Sequence, residues 1–143
     1  MSRCAGVHVQ FWDVPATEAL FRVLIEAGWE HDYYGAVNYV EGSGEGEGCK
    51  WAIVPLTEWP NVEERLYRGE LSGLGMCWRG TKLGGLFRIA RDRRELRVHL
   101  SGHRRSLRGC APFTDASWYL SRILSPLLGA RFDVRGFDCI DDQ

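Results

Sequence analysis

An α+β fold, a mostly antiparallel sheet with about three helices packed on one face, is predicted by three observations. Segments with the two-residue period of strands outnumber those with a helical period, most neighbours are joined by short polar turns, and three amphipathic helices suit one apolar sheet face. The chain has 143 residues, near the usual size of one domain, so a single globular unit over residues 1–143 is expected.

Val7, Val9 and Phe11 alternate with His8, Gln10 and Trp12, the pattern of a half-buried strand. Pro15 suits the first turn of a helix whose face is Leu20, Phe21, Leu24 and Ile25 and which Gly28 stops. Residues 33–40 read as a strand, the Gly/Glu run at 41–48 as a loop, and 50–56 as another strand. Pro60 opens a short helix with Val62, Leu66 and Tyr67 on one face, closed by Gly69. This order matches the start of a ferredoxin-like β-α-β-β-α-β unit.

Strands at 74–79, 86–90 and 96–100, with turns at Gly84-Gly85 and at Asp92-Arg93-Arg94, predict an antiparallel meander. Thr114 suits the N-cap of a third helix with the stripe Trp118, Leu120, Ile123, Leu124 and Leu127, which Pro126 should end or kink. Phe132, Val134 and Phe137 form a last strand, and the acidic tail 138–143 is expected to fray.

With 45% apolar and 26% charged residues the chain fits neither the disordered nor the membrane-spanning class. His8, Gln10 and Asp13 interrupt the apolar run a secretory leader needs, and five widely spaced cysteines without a CxxC pair suit reduced thiols, so a cytoplasmic location is expected.

The charge is segregated. Residues 79–108 hold ten of the eighteen Lys and Arg residues against only Asp92 and Glu95, a net +8, whereas 13–70 hold twelve acids against four bases, a net −8. Charge arranged on this scale sets partner choice and encounter rate.

Individual chemistries find little support. The EGSGEGEG loop at 41–48 has three Glu among its glycines, which repel phosphate, and it precedes a strand rather than a helix. His99 and His103 have the i, i+4 spacing of a metal pair, but their flanks read as strand. Cys110 is the best-placed thiol for nucleophilic chemistry, yet nothing in the sequence marks it as activated. Glu63 and Glu64 are adjacent on a helix and diverge, with Glu64 four residues before Arg68. No metal and no cofactor is expected.

The acidic loop 41–48 and the segment Glu58-Trp59-Pro60-Asn61-Val62-Glu63-Glu64 combine carboxylates with an aromatic anchor. In element order, Trp content and these acidic segments the chain resembles the small cytosolic immunity proteins that bacteria pair with contact-dependent, type VI or other polymorphic toxins. The resemblance implies a non-enzymatic protein-binding domain that occludes a toxin's active site. The partner-binding residues expected on that basis are Glu41, Glu45, Glu47, Glu58, Trp59, Glu63 and Glu64. The alternative is a nucleic-acid-binding domain using the Arg-rich 79–108 segment, and a Cys- or metal-dependent enzyme is third.

Overall fold

Alternating apolar residues generate the sheet: Val7, Val9, Phe11, Phe87, Ile89, Leu96, Val98 and Leu100 all lie in the core, while their strand neighbours His8, Arg88 and Arg97 face away. The structure, a computed structural model, describes residues 4–42, 50–109 and 113–142. Its elements are β1 (Cys4–Phe11), α1 (Thr17–Ala27), β2 (Trp29–Glu30), β3 (Ala36–Glu41), β4 (Ala52–Pro55), α2 (Trp59–Tyr67), β5 (Leu71–Trp78), β6 (Gly84–Ala90), β7 (Glu95–Leu100), α3 (Ala116–Gly129) and β8 (Val134–Asp142). Short 3₁₀ turns at Leu56–Glu58 and Arg91–Arg93 precede α2 and β7.

The eight strands form one antiparallel sheet in the order β4-β3-β5-β6-β7-β1-β8, with the two-residue β2 paired to β5. This confirms the α+β class. Leu20, Phe21 and Leu24 of α1, Val62 and Leu66 of α2, and Tyr119, Ile123 and Leu127 of α3 join the same core as the inward strand residues. The ferredoxin-like start is not formed: β1 pairs β7 and β8 and stands away from β3, so the meander and C-terminal strand displace the expected neighbours.

Several boundaries differ from the sequence expectation for identifiable reasons. Pro15 precedes the first helical turn, since α1 begins at Thr17 after an extended Ala16. Residues 33–36 form a tight turn in which Tyr34 and Gly35 have φ of 53° and 88°, so β3 starts only at Ala36. Gly84 and Gly85 are strand residues, not the turn, which falls between β5 and β6 around Gly80 at φ 69°. They are glycines because neighbouring strands crowd them: a Cβ on Gly84 would lie 2.5 Å from the Met76 carbonyl oxygen and 2.6 Å from Cys77 Sγ. Gly84→Ala is therefore expected to cost about 1–3 kcal/mol in a urea titration. Gly102→Ala, with nothing within 4 Å, should change stability by less than about 0.5 kcal/mol.

The N-cap of α3 is Asp115, whose carboxylate accepts from Trp118 N, rather than Thr114, whose strand-like bridge to Ser106 takes it out of the cap position. Tyr119, missing from the expected stripe, is fully buried, and its hydroxyl accepts from Arg105 N at 2.9 Å, while Trp118 is only half-buried. Pro126 does not end α3, which runs on to Gly129. A proline at this position supplies no N–H to the carbonyl four residues earlier, that of Arg122. Trp29 Nε1, from β2, donates to that carbonyl at 2.8 Å and satisfies it. The acidic tail is not frayed through Asp142: Asp138–Asp142 continue β8 and pair with β1 up to Cys4.

Candidate functional site

Two surfaces bring chemistry-bearing side chains together. The first begins at the turn after α1 and the first turn of α2. The His31 and Trp59 rings stack at 4.0 Å between centroids and 3° between planes, both half-buried. Asp32, Glu63 and Glu30 lie close enough to His31 to act on its charge. Glu58, at the start of α2, accepts from Asn61 Nδ2 at 3.0 Å. An aromatic pair is thus rimmed by carboxylates from two segments about thirty residues apart in sequence.

The neighbouring cavity, of 700 Å³, shares Glu30 and Asp32 and is walled by Tyr34 and Trp78, with Lys82 and His103 at its border. Tyr34 Oη lies 2.6 Å from both the Lys82 carbonyl oxygen and Ser101 Oγ, which fixes the wall. Carboxylates beside aromatic faces suit a Lys or Arg side chain. Burial raises the pKa of the Cys77 thiol in this cavity, the condition of an inert sulfhydryl rather than a nucleophile.

Burial pulls the His31 pKa below its ordinary 6.5, against the pull of Asp32, Glu63 and Glu30, so the stacked imidazole is neutral at pH 7. The unfolded chain takes up this proton before the folded one does. The residue's contribution to stability is therefore complete well above pH 6.5 and is lost as the pH falls through 6.5 toward the lower folded value. Urea midpoints of wild type and His31→Phe at pH 7.5 and 5.5 check this: the acid-side loss should be smaller in the variant.

The other expected site residues lie at the far end of α2 or outside the described residues. Glu41 pairs with Arg65 at 2.9 Å, Glu64 with Arg68 at 3.5 Å, and Glu70 joins both arginines, so this cluster is close to electrically balanced. Glu45, Glu47 and Cys110 fall outside the described residues. Trp59, Glu58 and Glu63 come together, whereas Glu41 and Glu64 belong to the ion-paired network.

The second surface is the sheet face opposite the helices. A cavity of 490 Å³ lies there, lined among others by His8, Arg88, Arg97, His99, Trp51 and Ile140. Antiparallel register sets His8 opposite Arg97 and Arg97 opposite Arg88 in one row across β1, β7 and β6, with Gly6, His99 and Leu86 in the next. Glu95 Oε1 takes Arg97 Nε at 2.7 Å and His8 Nδ1 at 3.4 Å, holding both side chains in place. Gly73 continues the row beyond Arg88, and a Cβ there would lie 3.1 Å from Trp51 Cη2, so the indole lies over the glycine. His99 lines this groove and His103 the other cavity, so the two do not converge on one ligand. Among the described residues no three His, Cys, Asp or Glu side chains are placed to hold a metal ion.

Sequence reasoning missed His31, Glu30 and Asp32 because nothing local ties residues 30–32 to 58–63. The Arg88–Arg97 pairing had a signal: a tight turn at 91–94 sets Ala90 opposite Glu95 and fixes every pair behind it. No family model, no curated protein and no solved structure matches the chain. Among the described residues no helix is long and apolar enough to cross a membrane.

Proposed function

We propose that this chain is a non-enzymatic protein-binding domain, a cytoplasmic immunity protein that neutralises a cognate bacterial toxin by occluding its active site. The observation that carries the proposal is the coplanar His31–Trp59 stack rimmed by Glu30, Asp32, Glu58 and Glu63. Aromatic anchors inside a charged rim give affinity at the centre, while the rim speeds encounter with a partner of opposite charge. The partner on this reading presents a basic surface, one Lys or Arg of which enters the cavity between Tyr34 and Trp78.

The nucleic-acid alternative has weaker support, because the arginines of 79–108 do not form one track. Arg91 donates to Thr17 Oγ1, Arg94 to the Trp12 carbonyl, and Arg105 pairs with Asp115. A polymer needs several phosphate contacts along one surface to bind tightly.

Co-expression with the toxin domain encoded beside this gene tests the proposal. Cells carrying both should survive and the two proteins should co-purify, and Glu30→Lys with Asp32→Lys should slow association in a salt-dependent way. Death of the cells despite expression of this chain, or failure to co-purify, would refute it.

A further inference from the structure

We propose that the 700 Å³ cavity beside β2 is a binding site for an arginine-type residue with a free carboxylate, either the amino acid itself or the last residue of a chain. Glu30, Asp32, Lys82 and His103 all line this cavity. Of the ion pairs among the described residues, none joins Glu30 or Asp32 to Lys82, so the two signs of charge stand apart around one space. Such a lining suits a ligand that carries both charges, a cation at one end and a carboxylate at the other. Asp32 Oδ1 accepts from Gly35 N at 2.9 Å, which closes the turn and leaves the second carboxylate oxygen for the ligand.

Tyr34 sets the distance between the two ends. Its backbone follows that of Asp32 in the same turn, whereas its hydroxyl, at the far end of the ring, lies 2.6 Å from the Lys82 carbonyl oxygen. The same hydroxyl lies 2.6 Å from Ser101 Oγ, which donates to the His103 carbonyl at 3.0 Å. The turn that carries Asp32 and the loops that carry Lys82 and His103 are therefore one tyrosine side chain apart. Arginine has a similar reach from its α-carboxylate to its guanidinium. Laid along the ring, it sets the guanidinium at Glu30 and Asp32 and the carboxylate at Lys82 and His103. Tyr34 is 44% exposed and offers its face to a guanidinium, whereas Arg79 and Arg122 already stand over Trp78 at 5.5 and 5.2 Å. Tyr34 holds this position at φ 53°, a left-handed conformation unfavourable for an aromatic residue and characteristic of ligand clamps. The assignment rests on the immunity reading only in sharing its cavity. Titration without a toxin tests this site and co-expression tests that reading, so the two fail separately.

Calorimetric titration of the full chain with L-arginine, acetyl-arginine, the amide of acetyl-arginine and citrulline tests the proposal. Arginine and acetyl-arginine should each saturate one site. The amide, which lacks the carboxylate, should bind roughly tenfold or more weakly than acetyl-arginine, and citrulline, which lacks the cation, roughly tenfold or more weakly than arginine. Tighter binding of acetyl-arginine supports a chain terminus as the source, and tighter binding of arginine supports the free amino acid. Glu30→Gln and Asp32→Asn should each weaken both ligands by roughly tenfold with an unchanged thermal midpoint, since both residues are exposed. Lys82→Gln should weaken acetyl-arginine while leaving its amide unaltered. Absence of saturable binding of either ligand at millimolar concentration, or wild-type affinity in both carboxylate variants, overturns the site. An amide that binds as tightly as acetyl-arginine, or wild-type affinity in Lys82→Gln, overturns the carboxylate contact and with it the assignment.

Discussion

Trp29→Ala is expected to lower the unfolding free energy by about 3–5 kcal/mol, the range for removing a large buried aromatic. Trp29 is 1% exposed and makes edge-on contacts with Trp78 at 5.4 Å and Phe87 at 4.9 Å between centroids. The loss includes a polar component, because its Nε1 holds the Arg122 carbonyl that Pro126 leaves without a helical donor. Trp29→Phe separates the two: it keeps much of the ring and drops the N–H, at an expected cost of about 1–3 kcal/mol. Pro126→Ala restores a backbone N–H four residues after Arg122, so it should recover part of that loss in the Trp29→Phe background. Urea unfolding of the four proteins of this cycle measures the coupling. Strict additivity would show that the indole does not substitute for the missing helical bond.

Trp59→Ala is expected to weaken binding of the proposed toxin partner by about 2–4 kcal/mol, mostly through faster dissociation. The ring lies flat on His31, so truncation removes the anchor and uncovers an imidazole among carboxylates. Trp59→Phe should retain part of the affinity, since a smaller ring still stacks. Glu58→Lys with Glu63→Lys should act chiefly on association, and the effect should shrink as salt is raised. Surface plasmon resonance at two ionic strengths separates the two rate constants. An unchanged dissociation rate in Trp59→Ala would place the contact elsewhere, while co-purification would still support the function.

The core was largely legible in sequence because its periods are local. The alternation at 7–11, 86–90 and 96–100 located three strands, and the stripes containing Leu20, Phe21, Leu24, Val62 and Leu66 located two helices with their buried faces. Chain punctuation was legible where backbone conformation alone sets it: Gly28 and Gly69 end their helices at φ of 136° and 75°. The candidate sites were legible only in part. Trp59, Glu58 and Glu63 are neighbours in sequence, so their association was visible, but His31 joins them only because β2 and the turn after it bring residues 29–36 back across the sheet.

What sequence alone determined is therefore the class, the inward faces and the segregation of charge, all of which depend on residue type and spacing. Tertiary structure decided the rest by supplying partners from afar. Pro126 sits within a helix because an indole nearly one hundred residues earlier donates to the vacant carbonyl, at a separation of 93 residues from Trp29 to Arg122. Asp138–Asp142 are ordered as strand because β1 offers an unpaired edge, and sheet hydrogen bonds satisfy backbone groups that a free tail would leave to water. Gly84 and Gly85, which look like a turn from one strand's sequence, are set by the approach of β5 and β7 on either side. Local spacing specifies which face a side chain takes; only register and packing specify what it meets there.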